Sequence, residues 1–155
     1  MRLWLDNDGC PRIVRELIFK AAGRRNFAVT VVGNSYMVVP PGPNYAMVVV
    51  DGGFDAADNH IADQAAPGDI VITADIPLAA RVVAKKATAL SPRGELFDAE
   101  SIGDRLAMRN LHQELRSGGE IKGGPPPLGD LDKKRFADAF DRLLTQTLNA
   151  ARTPR

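Results

Sequence analysis

The sequence predicts an α/β fold, with a mainly parallel central sheet of about four or five strands and helices on both faces. Three observations carry this. Short apolar runs alternate with segments of helical periodicity along the whole chain. The run Tyr45–Val50 is almost continuously apolar, as a strand covered on both faces must be. Gly, Pro, Asn and Asp cluster between the runs, where turns are needed.

Taken in order, Arg2–Leu5 is a short first strand. Pro11 suits the first turn of a helix in which Ile13, Val14, Leu17, Ile18 and Ala21 recur at helical spacing, and Gly23 is its expected end. Phe27–Val32 is a strand closed by Gly33 and Asn34. Residues 35–44 are Pro-rich and form an ordered loop or an edge segment. After Tyr45–Val50 comes a turn at Asp51-Gly52-Gly53, then a helix from Phe54 to Ala66 that Pro67-Gly68 breaks. Asp69–Thr73 is a buried strand. Pro77 opens a helix to about Lys86, and Thr88–Leu90 is a short strand. Glu95–Phe97 is an edge strand or hairpin arm, and Asp98 or Ser101 caps a helix running to about Arg116. A Gly/Pro-rich loop over 117–131 leads to a last amphipathic helix from Asp132, with Phe136, Phe140, Leu143 and Leu144 on one side.

Composition narrows the class. A chain of 155 residues with 45% apolar and 25% charged residues suits one soluble domain with a real core. Its longest aliphatic run is too short to span a bilayer, and no leader segment is evident at the N-terminus. A single Cys excludes an internal disulfide framework and fits a reducing cytoplasm. Net charge is +1 but uneven: residues 1–80 carry six Lys/Arg against nine Asp/Glu, and residues 81–155 carry fourteen against ten.

The acids fall in a pattern. Asp6 and Asp8 follow the first strand, Asp51 the third and Asp75 the fourth, while Asn34 follows the second. In a parallel sheet these positions share the C-terminal rim, where ligands bind. Asp55 and Asp58 lie three apart at the start of the next helix, on one face of it and near the same rim. Six carboxylates together call for a cation, and an all-oxygen set suits Mg2+ or Mn2+. Two such ions about 4 Å apart activate water and stabilise the leaving oxygen in phosphodiester cleavage. Local roles are also open to these residues: Asp55 and Asp75 are placed to cap helices, and Asp51 to shape a turn. Arg81, on the helix after Asp75, and Arg93, in the loop after the fifth strand, are candidates for phosphate contacts together with Asn34. Cys10, next to Pro11, is expected to be a small buried residue at a helix start, with a reactive thiol as the alternative. His60 and His112 have no partner at zinc-ligand spacing.

Two resemblances sharpen this picture. The stretch "FDAADNHIADQAAPGDIVITADIPLAARV" sets Asp58 in a helix, then a strand, then Thr73-Ala74-Asp75. This resembles the C-terminal half of the PIN-like nuclease site, and Asp6 directly after the first strand resembles its other half. More narrowly, "DNDGCP", "GFDAADNHI", "GDIVITADIPLAARV", "SPRGELFD", "IGDRLAMRNL" and "GGPPP", in this order, resemble the YaiI/YqxD family of small bacterial proteins, usually placed among PIN-like domains. Asn7 and Gly9 stand where that family's pattern has alanines. The PIN mid-chain Glu has no clear counterpart here.

The resemblance implies a single three-layer PIN-like domain over 1–150, with 151–155 as a frayed tail. It implies a metal-dependent nuclease acting on RNA or other single-stranded nucleic acid. Asp6, Asp8, Asp58 and Asp75 would be the catalytic residues, and these four with Asp51 and Asp55 would bind Mg2+ or Mn2+. A binding protein without catalysis is the alternative. The opening "LWLDNDG" also resembles the haloacid-dehalogenase phosphatases, with Asp6 as nucleophile and Asp8 as acid/base. The helix beginning at Pro11 leaves no room for their flap, and the second and third strands end in Asn and Asp.

Overall fold

The computed structural model describes residues 1–53, 55–117 and 128–152. Its sheet has six strands: β1 (Arg2–Asp6), β2 (Ala28–Gly33), β3 (Tyr45–Val49), β4 (Ile70–Ile72), β5 (Thr88–Leu90) and β6 (Leu96–Phe97). The helices are α1 (Arg12–Arg25), α2 (Ala56–Gln64), α3 (Ile76–Ala84), α4 (Ile102–Ser117) and α5 (Asp130–Arg152). The sheet order is β3-β2-β1-β4-β5-β6. The first five strands are parallel, and only β6 runs antiparallel, as the arm of a tight hairpin on β5. Five parallel strands and the hairpin arm expected at Glu95–Phe97 make up the sheet: Ser91 N–H donates to the Glu95 carbonyl and Gly94 N–H to the Ser91 carbonyl, both at 2.9 Å, folding the chain back at once.

Alternation along the strands divides the core in two. Leu3 and Leu5 of β1 face α1 and α5, in a cluster with Val14, Ile18, Phe136 and Phe140. Trp4 points the other way, into a cluster with Ile61 of α2 and Leu78 and Val82 of α3. Helices thus cover both faces, as an apolar parallel sheet requires.

Several ends differ from the sequence reading for local reasons. α1 runs past Gly23 to Arg25, because Asn26 supplies the left-handed cap at φ 55°, its N–H donating to the Ala22 carbonyl at 2.8 Å. Gly23 serves packing instead: a Cβ there would lie 3.4 Å from the Tyr45 hydroxyl, which donates to the Phe19 carbonyl. α3 ends at Ala84, before Lys86 takes φ 68°. α5 begins at Asp130, two residues early. Residues 35–44 are loop, as the first of the two expectations had it. Phe54, the stretch 118–127 within the Gly/Pro-rich loop, and the tail residues 153–155 lie outside the described residues.

A buried carboxylate fastens the far end of the sheet. Asp69 accepts hydrogen bonds from Arg2 N–H (3.0 Å), Trp4 Nε1–H (3.0 Å) and Ala66 N–H (2.9 Å). Asp69→Ala strands three donors, and each buried unpaired donor costs about 1–3 kcal/mol. Urea unfolding of Asp69→Ala is expected to show a loss of about 3 kcal/mol or more; a loss no larger than that of an ordinary surface substitution would show that these bonds contribute little.

Candidate functional site

The strand order reverses between β1 and β4, since β2 and β3 extend one way and β5 and β6 the other. Crevices open at such switch points, outside the C-terminal strand ends. Asp6 is the last residue of β1. Alternation puts its side chain on the same face as Trp4, toward α2 and α3. The chain leaving β4 passes through Thr73 to Asp75, the N-cap of α3, whose Oδ1 accepts from Leu78 N–H at 2.9 Å. Asp58 stands in the first turn of α2, over the same spot.

One hydroxyl ties these parts together. Thr73 Oγ1 donates to Asp6 Oδ2 at 2.8 Å and accepts from Asp75 N–H at 3.0 Å. Asp6 is only 3% exposed, yet its Oδ1 has no hydrogen-bond partner. Buried carboxylate oxygens are rarely left this way. The neighbouring Asn7 Oδ1 is buried and unpartnered too.

Asp6, Asp8, Asn34, Asp58, Ala74 and Asp75 line a cleft of about 480 Å³. Asp8 is exposed at its mouth, where Asn34 Nδ2 donates to Asp8 Oδ2 at 3.4 Å. The structure thus gathers the four acids expected to be catalytic, with Asn34. It leaves the other candidates outside the lining. Asp51 and Asp55 are exposed, though the charge of Asp55 still reaches Asp58. Arg81 donates to Asn59 Oδ1 at 2.8 Å, and Arg93 pairs with Asp132 of α5 at 2.7 Å.

The electrostatics follow from crowding. Burial raises the Asp6 carboxyl from 3.8 to about 6, against lowering hydrogen bonds from the Thr73 side chain and the Asp8 backbone and with smaller upward contributions from the charges of Asp8 and Asp75. Burial also raises Asp58, to about 7, and the charges of Asp75 and Asp6 add to it. Asp58 and Asp75 meet closely enough to share a hydrogen bond. Among the described residues, no three His, Cys, Asp or Glu side chains are already disposed to hold a metal ion. Cys10 is buried, and burial pushes its thiol up to about 12, which makes it an unreactive packing residue at neutral pH.

Sequence reasoning quoted Thr73 within its motif but left it off the site. The signal was there: a hydroxyl two residues before an N-cap Asp can accept from the backbone and donate outward. Nothing in the sequence marked the Asn7 Oδ1 as buried and unpartnered.

Fold and rim define a doubly wound α/β protein with a carboxylate-lined cleft at its switch point. A family model described as "Uncharacterized BCR, YaiI/YqxD family" matches residues 4–146. A UPF0178 protein of Geobacter sulfurreducens is 52% identical over 149 residues, covering 96% of this chain and 99% of the relative. A UPF0178 protein of Trichlorobacter lovleyi is 47% identical over 152 residues, covering 98% and 99%. The chain belongs to the YaiI/YqxD family, to which the UPF0178 name is given. No solved structure matches it. Among the described residues, no helix is long and apolar enough to cross a membrane.

The raised carboxyls have a consequence for stability. An acid whose native pKa lies above its unfolded value binds protons more tightly when folded, so stability falls as pH rises between the two values. For Asp6 and Asp58 that window runs from about pH 4 to about pH 7. Without divalent cations, Asp6→Asn should remove part of this slope and be more stable than wild type at pH 8, by on the order of 3 kcal/mol for the rise from 3.8 to about 6 at 1.36 kcal/mol per pKa unit. Urea midpoints at pH 5 and pH 8 in EDTA test this, and equal slopes for the two proteins would contradict it.

Proposed function

We propose that the cleft is a metal-dependent phosphodiesterase site, acting on RNA or other single-stranded nucleic acid. One observation carries the reading: a buried carboxylate oxygen, Asp6 Oδ1, lacks a partner at the floor of a cleft that three further aspartates line. A hard cation satisfies such an oxygen, and an all-oxygen donor set fits Mg2+ or Mn2+. Asp6, Asp58 and Asp75 would hold the ion, with Asp51 and Asp55 adding negative charge from outside the cleft. When bound, the ion supplies positive charge that lowers the pKa of water and stabilises the phosphoryl oxygens.

The residues of the chain then have distinct tasks. Thr73 fixes Asp6 and the backbone entering α3, so the two acids keep their spacing. Asp8, exposed at the mouth and steadied by Asn34, takes the proton of the attacking water. The water oxygen bonds to phosphorus as the ester bond to the leaving hydroxyl breaks, and the leaving oxygen takes a proton from solvent. The PIN-like resemblance of "ITADIPLAARV" supports the same reading.

A second reading, a binding protein without catalysis, is favoured by the cations. Arg81 and Arg93 are engaged with Asn59 and Asp132 rather than lining the cleft, so neither grips a phosphate there in this conformation. Lys122, in the Gly/Pro-rich loop, lies outside the described residues.

Incubation with a mixed pool of RNA and single-stranded DNA in Mn2+ separates the two. Cleavage by wild type that falls about 100-fold or more in Asp6→Asn, the scale of losing metal support, is the expected result. Equal cleavage by both proteins would mean a contaminant. No cleavage by either, across several substrates and metals, would hand the site to the binding reading.

A further inference from the structure

We infer that an apolar pocket beside the acid cleft receives the nucleobase next to the phosphate held by the acids. This rests on the cleft's being a phosphodiester site. The pocket measures about 410 Å³, and Pro11, Ala74, Ile76, Pro92, Phe97 and Leu128 supply its apolar wall. That volume falls within the range of small-ligand sites, roughly 300–1,000 Å³. Ala74 borders both the pocket and the acid cleft, so the two are contiguous. Both open at the C-terminal ends of β1, β4 and β5, the edge where this class of sheet binds ligands.

The chemistry of the wall selects the ligand. Its polar side chains already have partners within the protein. Ser91 Oγ accepts from Arg93 N–H at 3.2 Å and Glu95 N–H at 3.1 Å. The Arg93 guanidinium pairs with Asp132, and the Glu95 carboxylate pairs with Arg105. What remains is apolar surface, which suits a flat, uncharged ring and not a second phosphate. The acid cleft rejects apolar rings and, through a cation, takes the charged phosphate. A nucleotide presents these two chemistries side by side. Contact by shape and apolar surface is tolerant of sequence, because every base offers a flat face.

The test uses neutral nucleosides, which need neither the metal nor the acids. Methyl-labelled protein in EDTA is titrated with adenosine and with uridine, and the methyl resonances of Ala74, Ile76 and Leu128 are followed. Saturable shifts confined to these methyls, kept in Asp6→Asn and weakened about tenfold or more in Leu128→Trp, are expected. Ile76→Ala, which empties space without filling the pocket, serves as a second variant should Leu128→Trp misfold, and should also weaken binding. Absence of shifts, shifts spread over the surface, binding unchanged in both variants, or equal shifts with ribose 5-phosphate would overturn the inference. The two readings fail separately. Metal-dependent cleavage without nucleoside binding removes the base pocket and keeps the phosphodiester site. Nucleoside binding without cleavage keeps the pocket and removes the site.

Discussion

The pairing of β1 with β4 is the constraint on which the rest depends. It sets Leu5 opposite Ile72, so the strands end together and Asp6 and Thr73 emerge side by side. The hydrogen bond from Thr73 to Asp6 then closes the gap between two parts of the chain 67 residues apart. A carboxylate at 3% exposure with half its acceptors unused is unfavourable for the fold by itself. Proteins keep such arrangements where function needs them, and the surrounding structure over-determines their geometry.

The surrounding structure is well suited to that task. Two clusters press on the sheet from opposite sides, and β1 lies at its centre with a neighbour on each edge. Asp69 fastens the N-terminal ends of β1 and β4 just as Thr73 fastens their C-terminal ends. Both ends of the central pair are therefore held by a carboxylate. The difference is informative. Asp69 is satisfied by three donors, while Asp6 keeps its Oδ1 without a hydrogen-bond partner. The first is a structural tie, and the second leaves an acceptor unused.

Much of this was legible in the sequence, because period-two and period-3.6 patterns are set by burial, and burial in this sheet is two-sided. The acids at strand ends followed from the parallel topology alone. What stayed hidden depended on contacts between distant residues. The partnership of Thr73 with Asp6 spans two strands. The left-handed cap at Asn26, which displaced the expected stop at Gly23, is steadied by Asn44, whose Nδ2 donates to Asn26 Oδ1 at 2.7 Å. Arg81 and Arg93 looked available because sequence shows charge but not its partners; Asn59 and Asp132 take them up. Sequence also hides the fit at Gly94, where a Cβ would come within 2.7 Å of the Arg135 carbonyl, so the hairpin and α5 fit only around a glycine.

The central claim is that the spare oxygen of Asp6 is a cation ligand. Crystals grown above pH 7 with Mn2+, measured at the manganese absorption edge, test it most directly. The account predicts an anomalous peak in the cleft, coordinated by Asp6 Oδ1 and by Asp58 or Asp75, and absent from Asp6→Asn crystals. A cleft without a peak in well-ordered crystals, or a peak that survives Asp6→Asn unchanged, would contradict it.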